Sequence, residues 1–169
     1  GWALAGNTPF RRWKRYTFEG GVRDPLIIAG PGIGDAGGTR DQYCHATDVL
    51  PTVLELCGVD RPETLNGIEQ MSYDGMSLAS VVADAAAPEL HTSQYYECWG
   101  SRAMYHEGWK AVTAHPYVTT EQHFDDDVWE LYHVAVDPSE TVDLASREPA
   151  KLRELIDRWW IEAGTHQVL

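Results

Sequence analysis

Residues 92–114 read Thr92-Ser93-Gln94-Tyr95-Tyr96-Glu97-Cys98-Trp99-Gly100-Ser101-Arg102-Ala103-Met104-Tyr105-His106-Glu107-Gly108-Trp109-Lys110-Ala111-Val112-Thr113-Ala114. Short runs rich in aromatic and branched residues alternate with very short breaks, and this predicts strands at Thr92–Trp99, Arg102–His106 and Trp109–Ala114. Glu107-Gly108 suits a hairpin turn. A fourth strand is expected over Val128–Val134, after an acidic loop spanning Tyr117–Asp127. Asp137-Pro138-Ser139-Glu140 reads as a turn. A last helix is expected over Pro149–Ala163, with Leu152, Leu155, Ile156, Trp159 and Ala163 on one face and Gly164 ending it. An antiparallel sheet with one covering helix is a common small α+β unit.

Working upstream, Met76–Ala85 reads as a short helix and Arg61–Gly75 as a polar, turn-rich linker. Thr47–Cys57 predicts a helix capped by Thr47 or Asp48, with Pro51 in its first turn and Gly58 stopping it. Leu50, Val53, Leu54 and Cys57 share its apolar face. Gly30–Gly38 is a glycine-rich loop. Val22–Ala29 reads as a buried strand, because Pro25-Leu26-Ile27-Ile28-Ala29 is apolar without alternation. The expected fold class is therefore α+β: an α/β corner over residues 1–60, a linker with a short helix over 61–87, and an antiparallel sheet plus helix over 88–169.

The whole chain has 169 residues, 43% apolar and 23% charged, which is ordinary globular composition. No apolar run approaches the ~20 residues of a membrane span. The net charge of -13 makes nucleic acid an unsuitable main partner, since phosphate binding wants a basic face. Yet residues 1–23 hold Arg11, Arg12, Lys14, Arg15 and Arg23 against the single acid Glu19. This cationic island is either a local anion site or a solvated stretch that tempers an acidic surface. Cys44, Cys57 and Cys98 match no disulfide, zinc or redox spacing, which leaves the compartment open. The chain opens on Gly-Trp-Ala with no charged-then-apolar leader, as a processed or cut product would.

Several patterns fail as sites. Gly32-Ile33-Gly34-Asp35-Ala36-Gly37 spells G-x-G-x-x-G, but a dinucleotide cradle needs a helix to begin inside it, and here the helix starts some ten residues later. The seven histidines lack metal-ligand spacing. Asp125-Asp126-Asp127 lacks the spaced oxygens and glycine of a calcium loop and reads as a solvated acidic run.

The most specific stretch is Lys14-Arg15-Tyr16-Thr17-Phe18-Glu19-Gly20-Gly21-Val22-Arg23-Asp24-Pro25. It resembles the K-x-x-x-[aromatic]-E-G-G-[V/I]-R-x-P segment of type I (formylglycine-dependent) sulfatases of the bacterial arylsulfatase kind, in the alkaline phosphatase-like superfamily. His45-Ala46-Thr47-Asp48-Val49-Leu50-Pro51-Thr52-Val53-Leu54-Glu55 resembles their H-x-x-D-x-x-P-T-x-L-E helix. Asn66-Gly67-Ile68, Asp74-Gly75-Met76-Ser77-Leu78, Gln94-Tyr95-Tyr96-Glu97, Gly108-Trp109-Lys110-Ala111 and Trp129-Glu130-Leu131-Tyr132 resemble later segments, in order along nearly the whole chain.

The resemblance implies a sulfuric ester hydrolase with calcium and a formylglycine nucleophile in the full-length enzyme. It implies that this chain begins just downstream of the family's metal-binding Asp-Asn pair, so that no metal ligand is placed here and the chain alone is not catalytic. Lys14 matches the family lysine that contacts the sulfate. Three donors and a fixed charge suit a tetrahedral oxyanion. Cys98-Trp99-Gly100-Ser101-Arg102 is one residue away from the C-x-[P/A]-x-R formylglycine signature. It is set aside, because it carries Gly at the Pro/Ala position and lies between strands, with Cys98 read as a small buried apolar side chain. The implied reading is the C-terminal part of an arylsulfatase, supplying Lys14 and pocket wall to a sulfate ester site, with neither nucleic acid nor membrane as partner and with self-association of the isolated fragment. The alternative is a stand-alone, non-catalytic anion-binding or interaction module.

Overall fold

The computed structural model describes residues 1–116 and 123–168. Its elements are α1 (Trp2–Asn7), α2 (Glu19–Val22), α3 (Val49–Leu56), β1 (Thr64–Leu65), β2 (Ile68–Glu69), α4 (Ala79–Ala83), β3 (Ser93–Cys98), β4 (Ser101–His106), β5 (Trp109–Thr113), β6 (Glu130–His133) and α5 (Pro149–Thr165). Two compact units result: Gly1–Pro25 with Ser93–Leu169, and Leu26–Thr92. The sequence grouped residues 1–25 with the following helix; in the structure they fold with the later strands.

The first unit is built on the antiparallel sheet β3-β4-β5-β6, in that order. The four expected strands are present within a residue or two of their predicted ends. Trp99-Gly100 and Glu107-Gly108 form the tight turns, with φ of 51° and 87° in the first and 47° and 81° in the second. Such left-handed pairs match the twist of adjoining strands and favour glycine in second place.

The register sorts the two faces. Tyr95, Met104, Ala111 and Leu131 lie in one cross-strand row. Met104, Ala111 and Leu131 are buried against Leu155, Trp159 and Ala163 of α5. Trp159 is fully buried and its indole N–H donates to the Tyr96 carbonyl at 3.0 Å, so its one polar atom is satisfied. The next row, Tyr105, Lys110 and Tyr132, points to the opposite face, as the two-residue period requires. That face is covered by residues 11–22.

The helix α5 runs through Gly164 to Thr165, past its expected end. Gly164 keeps helical backbone, and the first left-handed residue is Gln167, at φ 54°. The acidic loop expected over Tyr117–Asp127 lies in part outside the described residues.

In the second unit the helix expected over Thr47–Cys57 forms as a 3-10 turn, Ala46–Asp48, running into α3. Asp48 is wholly buried and is the hub. Its carboxylate accepts from the His45 N–H at 2.7 Å, the Met76 N–H at 2.8 Å and His91 Nδ1 at 2.9 Å. Thr52 donates to the Asp48 carbonyl at 2.6 Å and accepts from the Leu78 N–H at 2.8 Å. The H-x-x-D-x-x-P-T and D-G-x-S-L segments are therefore two halves of one polar clasp. A side chain at Gly75 would collide with the Thr47 backbone.

Three expectations for this region change. The helix expected over Met76–Ala85 shortens to α4. The linker contains the β1–β2 hairpin around Asn66-Gly67. The run Val22–Ala29 forms no strand: α2 ends at Val22, residues 25–29 carry no regular secondary structure, and among the described residues no strand pairs with them. A strand exists only through its ladder; without one, Leu26 and Ile27 stand 46% and 88% exposed.

Candidate functional site

The segment 11–23 is held from below and open at its tip. Asn7 donates from Nδ2 to the carbonyls of Arg12 and Gly20 at 3.1 and 2.6 Å, drawing the loop's ends together. The Gly20 N–H donates to the Arg11 carbonyl at 2.9 Å. Side chains at Gly20 or Gly21 would collide with the carbonyls of Arg11 or Tyr16. The two glycines are thus required by close backbone approach, and neither uses left-handed φ.

Below the glycines lies a buried ionic cluster. The Lys110 ammonium, 1% exposed on β5, sits 2.7 Å from Glu19 Oε1 and 3.3 Å from Glu140 Oε1. Glu140 also accepts the Glu19 N–H at 2.9 Å. Burial pushes the Glu140 carboxyl above its ordinary value, and Lys110 works against that shift. Isolated burial of such charges is costly, so each requires the others. This explains Glu in the E-G-G turn: it anchors the loop to the sheet.

The cationic island separates into distinct roles. Arg11 donates to Glu130 at 2.9 Å, to the Tyr132 hydroxyl and to the Glu140 carbonyl at 3.2 Å. Tyr132 also donates to Glu130, and burial followed by Glu130 pushes its phenol upward. Arg12 stacks over Tyr16 and Phe18 at 4.5 and 5.0 Å. Arg23 pairs with Glu19 at 3.4 Å and lies over Phe10 at 5.2 Å. Arg15 covers Trp99 at 4.8 Å.

Lys14 occupies the exposed tip of the turn closed by the Tyr16 N–H on the Trp13 carbonyl at 3.1 Å. Among the described residues it makes no ion pair or side-chain hydrogen bond. Its backbone is fixed on both sides while its ammonium stays available, which is the arrangement an oxyanion contact needs.

The other candidates fall elsewhere. Cys98 ends β3, half-buried at a hairpin whose next element is a strand, so C-x-G-S-R opens no helix. Its expected burial as an apolar side chain is incomplete. Of the acidic run, Asp125 and Asp126 are exposed, but Asp127 is not solvated as expected. It accepts from Arg102 at 2.6 Å and contacts His115 Nδ1 at 2.9 Å. Sequence reasoning missed this triad, because its members are distant in the chain and carry no joint spacing. Among the described residues no group of three His, Cys, Asp or Glu side chains could hold a metal ion. The calcium that the resemblance implies therefore finds no such ligand set among the described residues.

Residues 11–159 match the family described as N-sulphoglucosamine sulphohydrolase, C-terminal. An uncharacterized sulfatase of Schizosaccharomyces pombe is 32% identical over 167 residues, covering 97% of this chain and 29% of the yeast protein. Mouse arylsulfatase K is 24% identical over 170 residues, covering 92% of this chain and 29% of its own length. Choline-sulfatase of Rhizobium meliloti is 33% identical over 139 residues, covering 79% and 25%. The crystal structure of Ps i-CgsB shares the fold with a TM-score of 0.67 at 24% identity, covering 89% of this chain and 31% of that one. The chain spans under a third of the length of these curated relatives. With the family match running from Arg11 through α5, this chain belongs to the N-sulphoglucosamine sulphohydrolase C-terminal family and is a C-terminal part of a sulfatase.

Proposed function

We propose that this chain serves a sulfuric ester hydrolase by presenting Lys14 to the sulfate group of the substrate. The observation that carries the reading is the exposed Lys14 tip on a loop anchored through Glu19, Lys110 and Glu140, inside the family match. In this reading the calcium and the formylglycine belong to parts of the enzyme outside this chain, and the isolated chain turns over no sulfate ester. In the same reading the C-terminal edge of the sulfatase α/β domain, expected over residues 1–60, is carried by residues 26–60, since residues 1–25 group with the later strands. The exposed apolar side chains of Leu26, Ile27, Leu50 and Val53 support that placement.

The test uses the full-length enzyme. Lys14→Ala is expected to lower kcat/KM for an aryl sulfate by about 10²–10³, on the order of 3–4 kcal/mol, with an unchanged melting curve. Lys151→Ala, at a half-buried lysine of α5 paired with Glu154 at 2.8 Å, is the control. Equal losses in both variants would reduce Lys14 to part of a diffuse field, which salt screens. The isolated chain, assayed with the same ester and calcium, is expected to be silent. Turnover abolished by Cys98→Ala would overturn that.

A further inference from the structure

The loop that carries Lys14 closes on itself at a neck, where the Gly20 N–H meets the Arg11 carbonyl at 2.9 Å and Asn7 ties the carbonyls of Arg12 and Gly20 together. These bonds shape the loop without fixing it to the sheet. Lys14 lies three positions beyond Arg11, and three residues of chain span up to about 10 Å. A productive contact with a reacting group tolerates about 0.5 Å. Where the neck is seated therefore decides where the Lys14 ammonium can reach.

Glu140, far along the chain, meets both sides of that neck. Its carbonyl accepts from Arg11 Nη1 at 3.2 Å, and its Oε2 accepts the Glu19 N–H at 2.9 Å, across 129 and 121 positions of sequence. Its Oε1 faces the Lys110 ammonium at 3.3 Å. The strands hold the two sides one at a time: Lys110 of β5 takes Glu19, while Glu130 and Tyr132 of β6 take Arg11. Glu140 joins the two.

To do so it adopts a left-handed backbone at φ 52°. A glutamate enters that region rarely, and only where its surroundings impose it. The turn before β6's return supplies the constraint. The Glu140 N–H donates to the Asp137 carbonyl at 3.1 Å. Asp137 Oδ2 accepts the N–H groups of Thr141 and Val142 at 2.8 and 3.0 Å, and its Oδ1 accepts the Thr141 hydroxyl at 2.9 Å. Glycine would take this φ without strain, but it has no carboxylate to offer the neck. We infer that Glu140 is a positioning residue for the sulfate contact: seated on the Asp137–Val142 turn, it sets where Lys14 stands by gripping both sides of the loop's neck. It is buried and acts through Lys14. The inference rests on the reading of Lys14 given above.

The experiment is a double-mutant cycle on kcat/KM for an aryl sulfate, run on the full-length enzyme below the melting range of every variant. Glu140→Gly is expected to lower kcat/KM about 10–10²-fold while Lys14 is present. In the Lys14→Ala background the same change is expected to cost less than about two-fold, because there is no ammonium left to misplace. Glu140→Gln keeps an acceptor for the Glu19 N–H and should recover most of the loss, although its backbone is no more relaxed than that of glutamate. Asp137→Ala unties the turn without touching the buried charges. Its smaller loss, about three-fold, should vanish in the Lys14→Ala background, so the coupling is read even if Glu140→Gly does not fold. Arg153→Ala, exposed on α5, is the control and keeps the full rate. Losses that add in full to that of Lys14→Ala, a full rate in Glu140→Gly, or a Glu140→Gln no better than Glu140→Gly would each overturn the positioning role and leave the Lys14 reading standing. A full rate in Lys14→Ala would overturn that reading, and the positioning role with it.

Discussion

Residues 1–25 with 93–168 bury charged groups and pair them, whereas residues 26–92 leave large apolar side chains outside. In the first unit Lys110 is 1% and Arg102 2% exposed, each against carboxylates, behind a sheet whose other row packs on Trp159. In the second, Ile27, Ile68 and Met71 are 88%, 68% and 89% exposed, and the buried centre joins the Asp48 clasp to the small apolar group Leu78, Val81 and Val82. A unit with a closed apolar core has its driving force inside itself. A unit held by a polar clasp, with its apolar face outward, has that force still to be satisfied.

The sharpest way to break this comparison is Trp159→Ala. Removing a fully buried indole together with its hydrogen bond to the Tyr96 carbonyl should destabilise the first unit by about 3–5 kcal/mol. Urea unfolding, followed by the near-ultraviolet signal, would show it. A loss under about 1 kcal/mol would mean that α5 is not the closing element of that core.

Next comes the buried cluster. Lys110→Met removes the cation that Glu19 and Glu140 share and leaves Arg23, on Glu19 at 3.4 Å, as the remaining counter-charge, at a cost of about 3–5 kcal/mol. Glu140→Gln removes one charge and keeps an acceptor for the Glu19 N–H, so its cost is nearer 1–3 kcal/mol. If the two variants melt alike, the cluster is held by hydrogen-bond geometry rather than charge balance, and the contrast between the units weakens.

A subtler expectation concerns association. The isolated chain should sediment as larger species with rising concentration, through the apolar surface of residues 26–92. Ile27→Ser combined with Met71→Ser should shift it toward monomer, whereas the surface substitution Ile161→Ser on α5 should not. Sedimentation as a monomer at millimolar concentration would show that the exposed side chains find no partner.

What was legible in the sequence follows the same division. The four strands and α5 were readable because their signals are local: Glu107-Gly108 announces a left-handed turn, and Leu152, Leu155 and Trp159 repeat at helical spacing. The joining of residues 1–25 to the sheet was not readable, since Arg11 meets Glu130 across 119 positions with no local mark. Pro25–Ala29 misled for a related reason: an apolar run signals burial but cannot name its ladder partner. Lys14 is singled out in the sequence only through the resemblance. By charge alone it is one of five basic residues; the other four lie against aromatic rings, and Arg11 and Arg23 also pair with Glu130 and Glu19. Asp127 looked like its neighbours Asp125 and Asp126, and only the fold distinguishes it.

The smallest effect tests the clasp of the second unit. Half-buried His45 is held below its ordinary value of 6.5, first by burial and then by the neighbouring His91, with Asp48 pulling the other way. His91, Tyr43 and Thr47 also face this cluster. The folded chain therefore favours neutral His45, while the unfolded chain takes up a proton near 6.5. Between those two values the unfolded state binds more protons, so stability falls as pH drops through that window and levels off below the folded value. His45→Asn keeps a short polar cap and should remove that part of the slope in urea midpoints measured between pH 7.5 and 5. In the intact protein, proton resonances of the His45 ring should titrate below 6.5, and His91→Gln should raise that midpoint by removing the neighbouring charge. A His45 midpoint at or above 6.5 would mean that Asp48 outweighs burial. The second unit would then gain stability on mild acidification, and its clasp would behave like the charge-paired cluster around Lys110.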